Sequence, residues 1–276
     1  MEDSTDTLDG MRLTNQEIVA PDLPESATWI NFEPESIDDL LRVGPVLIEF
    51  WDFARVNSLR TLPYMEEWSR RYAGSGATVL GVHSPGFSFG RDEATVRAAI
   101  QRLGVTHPVL LDPEFELWKT FGNRGWPARY LFGRNGYLKY VHYGEGDYDE
   151  CELSIQEILR ELDPEVELPA LMEPLRPEDA PGVELPAQTA DLALPDGADR
   201  LKVKGTWGSA DDYIESTKSG NRVSVHCDAG AAFAILSGEG VEYPGVHEVA
   251  IEGDKASVEA PGPGLRFHGF QFTPKV

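Results

Sequence analysis

Residues 46–68 read VLIEFWDFARVNSLRTLPYMEEW, and the change of period inside that stretch decides the fold. VLIEF, at 46–50, is a short and nearly continuous apolar run, the pattern of a central strand buried on both faces. From Asn57 onward Leu59, Leu62, Met65 and Trp68 recur at helical spacing, with Asn57 or Ser58 as the expected cap and Pro63 as the expected kink. Moving outward, ATVLGVHS at 77–84 repeats the buried-strand pattern. DEATVRAAIQRLG supplies a second helix, with Asp92 as cap, Val96, Ala99, Ile100 and Leu103 along one face, and Gly104 as stop. PVLLD at 108–112 reads as another buried strand and FELWKTFG as a short helix. ARYLF and YLKYVHY, joined by GRNG with its Asn135-Gly136 pair, read as a hairpin, and a last helix runs from about Glu150 to Leu162. A βαβ start with a ββα end predicts an α/β three-layer sandwich.

Five strings stand in order along this segment: FW at 50–51, NSLRTLPYMEEW at 57–68, LGVHSPGFSF at 80–89, FGNRGWPARYLFGRNG at 121–136 and GEGDYDE at 144–150. With them, residues 46–159 resemble the TlpA/ResA-like thiol-disulfide oxidoreductases of the thioredoxin-like (redoxin) superfamily, in particular the DipZ-like branch. In that family a Cys-x-x-Cys pair opens the helix after the Phe-Trp strand; the first thiolate attacks a disulfide and the second thiol resolves it. Alignment on Phe50-Trp51 and on Leu59 to Pro63 puts Arg55 in the attacking position and Ser58 in the resolving one. Neither side chain carries sulfur, so no catalytic residue and no dithiol chemistry are expected. The resemblance also implies a cis-proline at Trp126-Pro127, and a binding groove formed by Trp51, Arg55, Asn57, Ser58, Trp126 and Pro127. Glu49 matches the family's buried acid. Without thiols to serve, its expected role is structural, as an acid of raised pKa or paired with a cation such as Arg55 or Lys139. Arg55 at a helix N-terminus, with Arg60, Arg124 and Arg129 on the same face, would suit a small anion; the alternative is an arginine that swings into solvent.

From 163 to 199 the chain is rich in Pro, Glu, Asp and Ala, which reads as an extended linker partly draped over a domain. LKVKGTWG, RVSVHCDA, AAFAILSGEG, HEVAIEGD, KASVEAP and LRFHGFQFTP follow as short strands with glycine-rich turns, the pattern of a small antiparallel β-sandwich. LSGEG at 236–240 and GPGLRFHGFQFTP at 262–274 resemble the carbohydrate-binding-module-like jelly roll of DipZ-like proteins. Trp207, Tyr213 and Tyr243 are the aromatic candidates for a sugar platform, packing in the core or rim being the other reading. The expected plan is an acidic flexible N-terminus at 1–24, a thioredoxin-like domain at 25–162, an acidic linker at 163–199 and a β-sandwich at 200–276.

Asp and Glu number 47 against 24 Lys and Arg in 276 residues, a formal charge of −23, which argues against nucleic acid or an anionic membrane as partner. The first ten residues lack the regions of a signal peptide, and no apolar run is of membrane-spanning length, so a cytoplasmic protein is expected. The DipZ-like family, by contrast, is usually tethered behind membrane helices. Cys151 and Cys227 suggest no disulfide framework. The six histidines lack metal-ligand spacing, and in His226-Cys227-Asp228 neighbouring side chains point to opposite faces of a strand, so neither metal nor cofactor is expected. The functional expectation is a non-redox module that binds a protein or peptide, with a small anion or a carbohydrate as other ligands. The enzymatic alternative is thiol-disulfide or peroxide chemistry at Cys151 or Cys227.

Overall fold

The computed structural model describes residues 11–12, 18–24, 27–32 and 36–276. The chain divides into two compact units. One holds the chain up to Asp52 together with Asn57–Ser84 and Ala99–Pro181, and the other holds Phe53–Val56, Pro85–Ala98 and Gly182–Val276. Of the expected flexible stretch at 1–24, residues 1–10 and 13–17 lie outside the described residues. Within it Met11 pairs with Val141, Arg12 with Tyr140, and Val19 bridges to Tyr137.

In chain order the first unit is built from β1 (Met11–Arg12), β2 (Thr28–Ile30), α1 (Ile37–Val43), β3 (Val46–Trp51), α2 (Val56–Tyr72), β4 (Thr78–His83), α3 (Glu93–Leu103), β5 (Val109–Leu111), α4 (Glu116–Thr120), β6 (Ala128–Phe132), β7 (Leu138–Tyr143) and α5 (Tyr148–Leu162), α2 and α3 having their first residues in the other unit. The sheet order is β1-β7-β6-β3-β4-β5-β2. β3 runs parallel to β4 and β4 to β5, while β6 and β7 are antiparallel to their neighbours; this is the thioredoxin-like mixed sheet. Asp92 caps α3 by accepting the Thr95 N–H at 2.8 Å, and Gly104 ends the helix at φ 69. The hairpin turns at Asn135-Gly136, where Gly136 takes φ 74. β2 and α1, each short, are elements that the hydrophobic pattern did not single out.

All six residues of β3 are buried, because helices cover both faces of the sheet. Val46, Ile48 and Phe50 point into one core with Leu80, Leu110, Tyr130 and Phe132. Leu47 points into the other with Tyr64, Met65, Trp68, Tyr148 and Ile155, and the period of two puts Glu49 on that same face. Gly81 of β4 marks a close approach: a Cβ there would stand 2.8 Å from Nε1 of Trp51 and 3.1 Å from Nε2 of His107.

Residues 163–181 belong to the first unit, where Val166, Leu168 and Met172 pack on the core beneath α2 and α5. Residues 182–199 belong to the second unit. The segment expected to be a linker therefore carries contacts of its own.

The second unit adds β8 (Leu192–Ala193), β9 (Lys202–Lys204), β10 (Trp207–Ser209), β11 (Ile214–Ser216), β12 (Arg222–His226), β13 (Ala231–Gly238), β14 (Gly245–Val249), β15 (Ile251–Glu252), β16 (Lys255–Glu259) and β17 (Leu265–Thr273). One sheet runs β10-β11-β17-β13-β14 with β8 against β17; the other runs β15-β16-β12-β9, and Val223, Val225, Ala256, Phe267, Phe270 and Phe272 fill the core between them. The β13/β17 ladder pairs Ile235 with Gly269 and Leu236 with Phe267, so His268 is the extra residue of a β-bulge. That bulge shifts the alternation by one: Phe270 and Phe272 join Phe267 in the core, and Gln271 points to the opposite face.

Gly81→Ala is expected to destabilise the protein by about 1–3 kcal/mol, because the new methyl group overlaps two buried rings held by the sheet. Chemical denaturation checks this, and an unchanged midpoint would show that the Trp51 and His107 rings have room to move.

Candidate functional site

Two backbone segments frame the place where the resemblance puts the reactive pair: the turn after β3 and the first turn of α2. α2 starts at Val56, before Asn57 and Ser58, so neither of these caps it as the sequence suggested. Ser58 is fully buried, and its Oγ accepts the Asp52 N–H at 3.3 Å. Trp51 is also fully buried, its ring edge-on to His83 at 5.5 Å. Both are core residues rather than groove linings, because β3 and the inner face of α2 have helix or sheet on every side. Beneath them lies a pair that sequence reasoning missed: Nε2 of His83 stands 3.4 Å from Oδ1 of Asp52, both 1% exposed. Adjacent strands bring them together, and no local spacing announces it.

The half-exposed candidates of the first unit are Asn57 and Trp126, while Pro127 is buried. The Trp126-Pro127 peptide is cis. The Trp126 ring lies 4.4 Å from Trp118 and 6.4 Å from Phe115, and its Nε1–H donates to the Ser84 carbonyl at 2.9 Å. Asp112 sets this row: it accepts the Leu117 and Trp118 N–H groups at 3.1 and 3.0 Å and the Ser84 hydroxyl at 2.9 Å. Asp112 thereby caps α4, fixing where Trp118 meets Trp126. Phe115 adopts φ 60, a left-handed conformation uncommon for a bulky residue and found disproportionately where a site constrains the backbone.

Glu49 is fully buried, and neither carboxylate oxygen has a hydrogen-bond partner among the described residues. Its cation is not Arg55 or Lys139 but Arg129, the residue directly opposite in the β3/β6 register. Arg129 is itself fully buried, lies over the Tyr148 ring at 5.0 Å and the Trp68 ring at 5.9 Å, and donates to the Gly146 carbonyl. Burial pushes the Glu49 carboxyl up to about 8 against the opposing pull of Arg129. Cys151, on the first turn of α5, is fully buried in this same core. Burial raises its thiol to about 12, with Arg129 working the other way. The island of positive charge expected around Arg55 is not assembled in the first unit, since Arg129 is internal and Arg60 is bound to Glu145 at 2.5 Å and Glu178 at 2.9 Å.

Arg55 belongs to the second unit. Its guanidinium lies 4.8 Å over the Phe87 ring, and its charge acts on Asp191, whose Oδ1 accepts the Phe272 N–H at 3.0 Å. The flanking backbone is held by Gln271, which accepts the Val56 N–H at 2.7 Å and donates to the Ala54 carbonyl at 3.0 Å. The three sugar-platform candidates do not form one surface. Trp207 is on β10 and Tyr243 precedes β14, at opposite edges of the sheet; Tyr213 stacks under Arg266 at 4.9 Å. Trp207 also packs on the sandwich core, and the Tyr243 ring lies on His247 at 4.6 Å. Cys227 is buried, with its thiol raised by that burial. No group of three or more His, Cys, Asp or Glu residues suited to a metal ion occurs among the described residues.

The Glu49 shift makes stability depend on pH. From the ordinary value of 4.5 up to about 8 the folded state keeps a proton that the unfolded state releases, so this contribution is full below 4.5 and is lost as pH rises through 8. Between pH 5 and 8 the wild type is expected to lose roughly 2–4 kcal/mol relative to Glu49→Gln. Parallel denaturant titrations at both pH values check this; two curves that move together would mean that Glu49 is ionised throughout.

No family model matches the chain. It is 28% identical over 298 aligned residues to protein DipZ of Mycobacterium bovis, an alignment spanning 92% of this chain and 42% of the relative, so the chain matches less than half the length of that protein. It is 24% identical to thiol-disulfide oxidoreductase YkuV of Bacillus subtilis, over 52% of this chain and 95% of YkuV. Among solved structures, a thiol-disulfide isomerase from Corynebacterium glutamicum superposes with a TM-score of 0.46 at 23% identity, covering 51% of this chain and 96% of that one. Among the described residues no helix is long and apolar enough to cross a membrane. With the strand order of its first sheet and the sequence likeness along nearly its whole length, the chain has a thioredoxin-like fold and is homologous to DipZ.

Proposed function

We propose that the first unit is a non-redox binding module that takes an extended peptide or a partner loop along its Trp126-Pro127 edge. The placement of sulfur carries this reading. The two motif positions hold Arg55 and Ser58, and the chain's two thiols, Cys151 and Cys227, are both buried. Thiol-disulfide exchange needs a thiolate that can reach a disulfide sulfur. Cys151, at about 12 and with no exposed surface, supplies neither the charge nor the access. The recognition side is supported by the half-exposed Trp126, braced on Trp118 and Phe115, which offers a rigid aromatic edge at little cost in side-chain entropy.

YkuV is named a thiol-disulfide oxidoreductase, which keeps that activity, through Cys151 or Cys227, as the competing reading. A sugar-binding role gains no support from aromatic residues divided between the two edges of a sheet.

In an insulin-reduction assay with dithiothreitol, the wild type is expected to add nothing to the reductant alone. Turnover lost on Cys151→Ser would sink the non-redox reading. For binding, peptides selected by display on the full chain are expected to weaken about tenfold or more on Trp126→Ala, as anchoring aromatics do. Selected peptides indifferent to that change would place recognition elsewhere.

A further inference from the structure

The larger sheet of the second unit has an outer face, turned away from the Phe267, Phe270 and Phe272 core, and that face is covered. Gln271 and Ile235, both on it, are 2% and 0% exposed. Gln271 makes two hydrogen bonds with one backbone segment, from the Val56 N–H and to the Ala54 carbonyl. A carboxamide is the neutral side chain that presents a donor and an acceptor side by side, which matches a backbone C=O and N–H two residues apart.

A second contact lies on the same face. The Asp212 carboxylate accepts both the N–H and the hydroxyl of Ser88, at 2.6 and 3.0 Å. The rings on either side, Phe87 and Phe89, pack edge-on against the bulged His268 at 5.5 and 4.8 Å. His268 is held neutral between the Ser237 hydroxyl at 2.8 Å and the Asp212 carbonyl at 3.0 Å, burial having lowered its pKa to about 4 against the pull of Asp212.

We infer that this face is a peptide-binding site whose ligand is the chain's own 53–56 loop, read through its backbone by Gln271 and sealed by residues 87–89. The inference is independent of what binds at Trp126. Helix chemistry supports it: Val56 is the first residue of α2, and its N–H is one of the orphan donors of a helix start. A side-chain cap at residue 55 would serve the N–H groups of the second and third helical residues, so the Val56 N–H needs an acceptor from elsewhere, and Gln271 supplies it from 215 positions away. In a dithiol member of this fold the first-turn amides stabilise the attacking thiolate. Here that amide is already taken, so the loop is a fixed internal ligand rather than a reactive surface.

Hydrogen exchange by mass spectrometry on the full chain tests this with Gln271→Leu, which removes both bonds, and Gln271→Glu, which keeps the acceptor and removes the donor. In Gln271→Leu, residues 53–58 are expected to exchange about tenfold faster or more, as a locally opened segment does, while β13 and β16 keep their protection. Unchanged exchange at 53–58 overturns the inference. If Gln271→Leu loses protection throughout, Gln271→Glu decides: faster exchange at 53–58 alone supports the site, and exchange identical to wild type overturns it. A thiol introduced by Arg55→Cys provides a second readout. Its reaction with a disulfide reagent should accelerate about tenfold when Gln271→Leu is added, because opening exposes it; an equal rate counts against the latch.

Discussion

The first unit depends on a single constraint, the burial of β3 on both faces. A strand covered on both sides has no solvent-facing position for a polar side chain, so the Glu49 carboxyl holds its proton well above the usual carboxylate range and meets its opposing charge within the sheet. The register supplies Arg129 directly opposite, and the aromatic rings of Trp68 and Tyr148 surround the guanidinium. The same burial draws Trp51 and Ser58 inward and leaves Trp126 as the half-exposed aromatic of the candidate groove. Covering β3 therefore fixes which of these side chains stay accessible to solvent.

In the second unit the comparable constraint is the bulge at His268. One extra residue in β17 reverses the alternation beyond it, putting Phe270 and Phe272 into the core and Gln271 onto the outer face. Gly269, next to the bulge, lets β8 come close; a Cβ there would stand 2.1 Å from the Leu192 carbonyl. The hydrogen bonds of Gln271 to residues 54 and 56 exist because of this shift. An unbroken alternation would have turned the amide into an apolar core, where its polar atoms would have lacked partners.

Much of the fold was legible in the sequence. Apolar runs announced β3, β4 and β5, helical spacing announced α2 and α3, and Asn135-Gly136 announced the hairpin, because these signals are local and of fixed period. β2, α1, β8 and β11 are short, and their residues carry too few repeats to establish a period. The start of α2 was misplaced by the capping rule: Asn57 and Ser58 look like caps, but the acceptor at this helix end comes from a distant strand. The site was legible as a list of positions and not as an arrangement. Arg129 read as one surface cation among several, yet it is the internal partner of Glu49, and Asp52 with His83 gave no sequence signal.

The sequence by itself determined the order of the longer strands and helices, the absence of sulfur from the two motif positions, and the presence of a buried-type acid before Phe50-Trp51. All of these follow from residue identity and short-range period. Tertiary structure alone decided that Glu49 faces Arg129, that Cys151 is sealed from solvent, and that Arg55 lies over Phe87 within a loop held by Gln271. Those outcomes depend on strand register and on a one-residue bulge, which bring together groups far apart in the chain and leave no trace in local spacing.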